Sequence, residues 1–195
     1  MGLFLVTFVV RVYFIPSISM TPTLRVGDLV LVDLLAYRLH PPRPGDVAVF
    51  MPPVPSGGIA FVKRVIGVPG DRIRIADGVV YRNGIPLDEP YERSRPRYRL
   101  SIRDYDLYVN GRPLDPRLAD VPPRSFWRAP DRIPPGFYLV LGDDRNRSDD
   151  SHVWGFAQLG GRYAAGPLAG RPDPGFIGRA FLICWPPTHL RILTP

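Results

Sequence analysis

The sequence predicts a mainly β fold of antiparallel sheets, and three observations support this prediction. The 25 prolines and 19 glycines follow no regular period and leave few stretches long enough for helices, which excludes a helix bundle. Short apolar runs bounded by turn residues recur along the chain. Two Asn-Gly pairs, Asn83-Gly84 and Asn110-Gly111, are typical of tight hairpin turns, because both central positions of such a turn need positive φ.

The first predicted strand runs from Val6 to Ile15, where β-branched and aromatic residues predominate. The uncharged run Gly2 to Val10 ends at Arg11, so the apolar stretch is shorter than the roughly 20 residues that a membrane-spanning helix needs. It also lacks the basic start and the small-residue cleavage site of a signal peptide. We expect residues 1–12 to be the remnant of a membrane-proximal segment that leads into the first strand.

Later strands are expected where apolar runs lie between clusters of Gly, Pro, Asn and Asp. These runs are Leu29–Leu35, Val47–Met51, Phe61–Val68, Ile73–Ile75, Val79–Tyr81, Tyr138–Leu141 and Ala180–Trp185. We assign residues 13–76 and 133–195 to a main β core and residues 77–132 to a smaller, inserted β-hairpin subdomain.

The inserted subdomain contains a duplicated hairpin. Residues 72–88 align with residues 99–115 at a shift of 27, and nine of the 17 positions are identical. Two copies are too few for a repeat solenoid, so we expect both hairpins in one small sheet that projects from the main body. The Arg- and Pro-rich stretch 89–132 is expected to be the least core-like part of the chain.

Composition argues against metal or disulfide as the source of stability. The one cysteine, Cys184, cannot form an internal disulfide, and three histidines add too few ligands for a usual structural zinc site. We expect no metal and no cofactor. The net charge of +7 suits nucleic acid, an anionic membrane surface or solubility alone. Of the 25 basic residues only Lys63 is a lysine, and a lysine amine, unlike a guanidinium, can lose its proton when it is buried.

Residues 16–24 hold two candidate hydroxyl groups. The prolines of this segment prevent a helix, so we predict a rigid loop after the first strand. Ser17 and Ser19 lie two residues apart among apolar residues, which suits a nucleophile and a helper group or, alternatively, a solvated turn.

Residues 60–71 are apolar apart from Lys63 and Arg64. Neighbouring side chains on a strand point to opposite faces, so one of the two should face the interior and the other solvent or a partner. If Lys63 is the inward residue, loss of hydration lowers its pKa towards neutrality. A lysine that reaches solvent from a strand edge is the alternative.

Residues 142–152 combine charged and small polar side chains directly after an apolar strand. Such a segment suits an exposed acidic loop or a weak metal site. A calcium loop is disfavoured, because no distal Glu follows the carboxylates.

Together these segments resemble the bacterial type I signal peptidases, which are membrane-bound serine proteases with a Ser/Lys dyad. Four motifs in chain order carry the resemblance, and the only lysine falls on the general-base position. The motifs are Ser19–Leu24 with Gly27-Asp28, Arg43–Val47, Lys63–Asp71 and Gly142–Ser151. The resemblance covers residues 14–88, 133–155 and 176–187, and it implies that the main β core is catalytic.

The resemblance implies a role for each candidate residue. Ser19 would be the nucleophile and Lys63 the general base, unprotonated at rest. Ser17 and the Ser19 backbone N–H would stabilise the oxyanion, and Ser148 would orient the Lys63 amine. A supporting polar network would contain Asp143, Arg145 and Asp150.

Three features depart from the family pattern. His152 replaces the usual arginine after the Asp-Ser pair and is a weaker partner for Asp150. Asp144 replaces the usual asparagine and adds a negative charge near the dyad. Residues 157–175 look longer than the short connection of the family.

The implied function is that of signal peptidase I, an endopeptidase that cleaves N-terminal signal peptides from exported preproteins after small residues of the Ala-X-Ala type. The substrate would bind as an extended strand at a sheet edge. The resemblance implies a monomer at the cytoplasmic (inner) membrane, with the catalytic domain on the extracytoplasmic face and no nucleic-acid partner. Phe8, Phe14 and Met20 are candidates for contact with lipid.

The alternatives are an inactive paralogue, a self-cleaving Ser/Lys protease of the SOS-repressor type, a Ser-His-Asp hydrolase built on His152 or His189, and a basic β-barrel that binds nucleic acid. The SOS-repressor type carries a DNA-binding helix-turn-helix ahead of the dyad, and we expect none in the 18 residues before Ser19. The arginines lie along the whole chain and concentrate in the hairpin subdomain, away from the motif loops, which disfavours a nucleic-acid binder.

Overall fold

A computed structural model describes residues 9–114, 129–162, 172–173 and 175–194. Within these ranges strands dominate, and the helical segments are single turns: α1 (Ala36–Leu39), α2 (Ser151–Trp154) and a 3-10 turn at Pro187–His189. The predicted mainly antiparallel β fold is confirmed. Phe8, the start of the predicted 1–12 segment and residues 163–171 of the predicted long connection lie outside the described residues.

Sixteen strands form within the described residues, and neighbouring strands pair antiparallel throughout. In chain order they are β1 (Val10–Phe14), β2 (Leu29–Asp33), β3 (Val47–Phe50), β4 (Phe61–Gly67), β5 (Ile73–Ala76), β6 (Val79–Arg82), β7 (Ile85–Pro86), β8 (Leu100–Arg103), β9 (Asp106–Val109), β10 (Arg112–Pro113), β11 (Phe137–Leu141), β12 (Ala157–Gln158), β13 (Gly161–Arg162), β14 (Pro172–Asp173), β15 (Phe176–Trp185) and β16 (Arg191–Ile192).

The larger sheet has the order β1-β2-β15-β3-β4-β11-β12, with β16 paired to β15. Strand β4 occupies the centre of the candidate site. It pairs with β3 from Phe61 to Arg64 but with β11 only from Arg64 to Gly67. The β11 side of β4 is therefore unpaired before Arg64 among the described strands, which leaves an open sheet edge beside Lys63.

The smaller sheet contains both copies of the duplicated hairpin in the order β10-β9-β8-β5-β6-β7. Arg74 on β5 pairs with Ser101 on β8, and these two residues are also equivalent under the 27-residue shift. The copies therefore meet edge to edge about a pseudo-two-fold axis. The turn residues Asn83 and Asn110 have φ of 55° and 51°, as the Asn-Gly pairs predict.

The apolar face of the smaller sheet packs against the larger sheet. One buried cluster joins residues of the hairpins, such as Ile75 and Leu100, to Ile66 on β4 and Leu139 on β11. The expectation that the small sheet projects from the body is therefore wrong, because a one-sided apolar sheet buries that face against its neighbour. The described part of 89–132 contributes buried residues such as Leu107 to this cluster.

No helix among the described residues has the length and apolar character needed to cross a membrane.

Candidate active site

Ser19 and Lys63 meet in the structure. The Lys63 Nζ lies 2.7 Å from the Ser19 Oγ, and both side chains are buried, at 5% and 7% exposure. Ser19 lies in the loop after β1, which is folded by backbone hydrogen bonds from Thr21 N to Ile18 O and from Leu24 N to Met20 O. The rigid loop predicted from the prolines thus turns the serine towards the open edge of β4.

Lys63 and Arg64 are both buried, although they point to opposite faces of β4. Arg64 is covered by the Tyr91 ring, whose centroid lies 3.7 Å from the guanidinium carbon, and it forms a two-point ion pair with Asp143 at 2.9 and 2.8 Å. Its charge is therefore compensated. Lys63, by contrast, has no carboxylate within ion-pair distance in the described part of the chain.

Burial lowers the pKa of Lys63 from 10.5 to about 8. The charges of Asp150, Asp149 and Asp143 oppose this effect and raise the pKa, but the loss of hydration is larger. A substantial fraction of the amine is therefore neutral near pH 8. A neutral amine at hydrogen-bond distance from a hydroxyl can accept its proton.

Ser17 is exposed, and its Oγ lies 3.2 Å from the Ser19 Oγ. The Ser19 backbone N–H donates no hydrogen bond within the described part of the chain. The Ser17 and Ser19 hydroxyls are hydrogen-bonded to each other.

The loop of residues 142–152 lies directly against Ser19. Asp144 N donates to the Ser19 carbonyl oxygen at 3.0 Å. At Gly142 a Cβ would collide with that same oxygen and with the Ser148 side chain, so only glycine permits the approach. Ser148 is buried beside Gly142, but its Oγ has no hydrogen-bond partner among the described residues, Lys63 included.

The three predicted network residues are buried, and each has a different partner. Asp143 pairs with Arg64, as described above. Arg145 donates two hydrogen bonds to Glu89, at 2.9 Å each, and a third to Gly142 O at 3.0 Å. Asp150 accepts the Gly142 N–H at 2.9 Å and lies 2.6 Å from the His152 Nδ1, so the histidine that departs from the family pattern still contacts Asp150.

Asp144, the other departure, forms an ion pair with Arg93 at 3.3 Å. Its carboxylate is not among the charges that act on the Lys63 pKa. The charge that this residue adds is therefore paired with an arginine from the stretch between the two hairpin copies.

Three residues of this environment were missed by sequence reasoning: Glu89, Tyr91 and Tyr98. They lie in the stretch that looked least core-like, and Glu89 is 56 residues from its partner Arg145. No local pattern signals such a pairing.

A cavity of about 260 Å³ opens beside Ser19 and Lys63. Its lining combines the end of β1 and the serine loop with the start of β4 and two residues of the 142–152 loop. The lining residues are Tyr13, Phe14, Ile15, Pro16, Ser17, Ile18, Ser19, Met20, Ile59, Ala60, Phe61, Val62, Lys63, Arg147 and Asp149.

Exposed apolar side chains border this cavity. Phe14 is 60% and Ile59 62% exposed, and Ile18 is also exposed. Met20, which the sequence left as a candidate for lipid contact, is 1% exposed and packs in the core under the loop, so it cannot touch lipid.

The histidines do not form a Ser-His-Asp triad in the described residues. The His152 ring contacts Asp150, and the His189 Nδ1 lies 2.9 Å from Asp28, but neither ring hydrogen-bonds a serine. The same residues contain no group of three or more potential metal ligands.

Comparison with known proteins adds a family match, two similar proteins and one solved structure. The family model described as signal peptidase, peptidase S26, matches residues 1–185. A signal peptidase I of Leptolyngbya laminosa is 36% identical over 195 residues, covering 97% of this chain and 75% of that protein. A probable signal peptidase I-1 of Synechocystis sp. is 40% identical over 162 residues, covering 80% of this chain and 68% of that protein. A solved structure of a signal peptidase I from Enterococcus faecalis is 26% identical to this chain. The match covers 66% of this chain and 95% of that one, and its TM-score of 0.38 is too low to support an argument from shape.

Proposed function

Because the chain belongs to the signal peptidase family, peptidase S26, we propose that it cleaves signal peptides from exported preproteins with Ser19 as nucleophile and Lys63 as general base. One observation carries the assignment of the residues. The only lysine of the chain is buried without a carboxylate partner within the described residues, and its amine lies 2.7 Å from a buried serine hydroxyl.

In the proposed mechanism, the Ser19 Oγ gives its proton to the neutral Lys63 amine while the oxygen attacks the scissile carbonyl carbon. The oxyanion accepts hydrogen bonds from the Ser17 hydroxyl and the Ser19 N–H. The Lys63 ammonium then protonates the leaving amine, the C–N bond breaks, and the signal peptide stays attached to Ser19 as an ester.

Water completes the cycle. The amine of Lys63, neutral again, takes a proton from a water molecule that attacks the ester carbonyl carbon. The tetrahedral intermediate collapses, the signal peptide leaves with a free carboxylate, and the proton on Lys63 returns to the Ser19 Oγ.

The open edge of β4 is the proposed binding site for the substrate. An extended peptide that pairs with this edge would pass the 260 Å³ cavity beside Ser19. Alternate side chains of a strand point to the same side, so the first and third residues before the cut would both face the protein. The cavity lining is mostly apolar, which suits uncharged side chains such as alanine at both positions, in line with the Ala-X-Ala specificity that the family implies.

We also propose that the exposed Phe14, Ile18 and Ile59 contact lipid and bring the site to a membrane-embedded substrate. The proposed enzyme is a monomer on the extracytoplasmic face of the cytoplasmic membrane and does not bind nucleic acid. Residues 13–76 and 133–195 would form its catalytic core, and residues 77–132 its inserted subdomain.

Cleavage of a preprotein with an Ala-X-Ala site tests the proposal. Wild type should cleave after the second alanine, whereas Ser19→Ala and Lys63→Arg should be inactive, the second because a guanidinium keeps its proton and cannot act as a base. Ser101→Ala, in the hairpin sheet, is the matched control and should retain activity. Cleavage by Lys63→Arg would refute the base assignment, and an inactive wild type would favour an inactive paralogue.

A further inference from the structure

We propose that the segment between the two hairpin copies, residues 89–98, holds the 142–152 loop in position for catalysis, with Glu89 and Tyr98 as positioning residues. The inference rests on the proposed function, because the loop supports the Ser19 and Lys63 pair. The contacts between segment and loop run from one end of the segment to the other.

The first anchor is the ion pair between Glu89 and Arg145. The side chains are 4% and 0% exposed, and both guanidinium nitrogens donate to the carboxylate at 2.9 Å. A fully buried guanidinium needs such a partner, since an unpaired buried charge is costly. Arg145 also donates to Gly142 O, so the pair fixes the start of the loop.

The middle of the segment forms a series of hydrogen bonds with the loop. Arg93 N donates to Asp143 O at 3.0 Å. The Asn146 side chain accepts from Arg97 N at 2.9 Å and donates to Ser94 Oγ and Arg95 O at 3.0 Å each. The loop is thereby tied to the segment at two further points, through its backbone at Asp143 and through the Asn146 side chain.

The second anchor is the stack of Tyr98 on His152. The ring centroids are 4.2 Å apart and the planes differ by 8°. The stacked imidazole contacts Asp150 at 2.6 Å, and Asp150 accepts the Gly142 N–H. Tyr98 itself is buried, and its hydroxyl has no partner among the described residues, so the ring rather than the hydroxyl makes the contact.

The 142–152 loop contacts the backbone of Ser19, so the position of the loop affects the position of the reacting groups. Asp144 N binds the carbonyl oxygen of Ser19, and Gly142 packs against the same oxygen. A displaced loop would move the Ser19 backbone and the Ser148 side chain together. The cavity is lined mainly by the serine loop and by residues of β1 and β4, and only Arg147 and Asp149 come from the 142–152 loop, so the loss of either anchor should change the rate of the chemical step more than substrate binding.

The test is single-turnover cleavage with enzyme in excess, which measures the rate constant of the folded enzyme whatever its active fraction. Glu89→Gln removes the charge of the first anchor and keeps its shape. We expect the rate constant at saturating enzyme to fall about 10- to 100-fold, with half-saturation within about twofold of wild type. The matched control is Asp88→Asn, which removes a neighbouring exposed carboxylate. Its single-turnover rate constant should equal that of wild type.

The second anchor has its own pair of variants. Tyr98→Leu should lower the rate constant about tenfold at unchanged half-saturation. Tyr98→Phe keeps the aromatic ring, so its rate constant should equal that of wild type. Melting temperatures identify any variant that is unfolded at the assay temperature.

The outcomes separate this inference from the proposed function. If Ser19→Ala and Lys63→Arg are inactive but Glu89→Gln and Tyr98→Leu cleave at the wild-type rate constant, the positioning role is refuted and the dyad stands. A lower melting temperature with an unchanged rate constant would also refute it, because the anchors would then be purely structural. Loss of rate in Tyr98→Phe equal to that in Tyr98→Leu would refute the role of the ring stack.

Discussion

Replacement of Lys63 by methionine should stabilise the protein while it abolishes cleavage. In the folded protein the pKa of Lys63 falls from 10.5 to about 8, mainly because the amine is buried. The folded state therefore disfavours the charged form that the unfolded chain prefers at neutral pH. Methionine has a similar shape and no charge to desolvate.

The size and sign of the effect follow from the two pKa values. A pKa lowered on folding from 10.5 to about 8 corresponds to a penalty of about 3 kcal/mol at 1.36 kcal/mol per pH unit. The penalty is fully present below the folded-state pKa of about 8. It shrinks as the pH rises from about 8 towards 10.5, and it vanishes above 10.5, where the lysine is neutral in both states.

Urea unfolding of wild type and Lys63→Met at pH 7 and at pH 10.5 measures this difference. Lys63→Met should be more stable by about 3 kcal/mol at pH 7 and about equal to wild type at pH 10.5. Comparing the two proteins at each pH cancels the titration of the shared groups, and Ser19→Ala controls for the loss of the Ser19–Lys63 hydrogen bond. Equal stabilities at pH 7, or a difference that does not change with pH, would show that Lys63 is not held in a desolvated site.

Three further predictions concern catalysis. The rate of preprotein cleavage should rise about tenfold between pH 7 and pH 9, because the neutral fraction of Lys63 grows as the pH passes its pKa of about 8. Single-turnover rates that do not change with pH would contradict this. Ser17→Ala should lower kcat about 100-fold with little change in KM, because it removes one of the two proposed oxyanion donors, and an unchanged kcat would exclude that role. Gly142→Ala should abolish cleavage in a protein that still folds, because the added Cβ collides with the Ser19 carbonyl oxygen. The control Gly84→Ala, at a distant hairpin turn, should lower the melting temperature and leave cleavage unchanged.

Much of the architecture could be predicted from local sequence. Short apolar runs bounded by turn residues predict the strands, and the Pro and Gly content excludes long helices. The Asn-Gly pairs predict the turns where Asn83 and Asn110 adopt positive φ. The duplication is also visible in the structure, since the two similar sequences form similar hairpins that pair through β5 and β8. These features depend on neighbours within a few residues.

The surroundings of the candidate site were less predictable. The segment containing Glu89 and Tyr98 is rich in arginine and proline, which suggested a peripheral stretch, yet both residues contact the 142–152 loop. The packing of the small sheet on the large one was missed for the same reason. Contacts over 50 residues or more leave no periodic pattern in the chain.

The sequence by itself determined the strand content, the hairpin turns and the identity of the candidate groups, because backbone preference and side-chain chemistry are local properties. Only the tertiary structure decided that the Lys63 amine loses its hydration and lies at hydrogen-bond distance from Ser19. The burial of an amine and the charges around it depend on which distant segments fold against it. Ser19 and Lys63 are 44 positions apart in the chain, and the folding of β4 and its neighbours brings their side chains to hydrogen-bond distance.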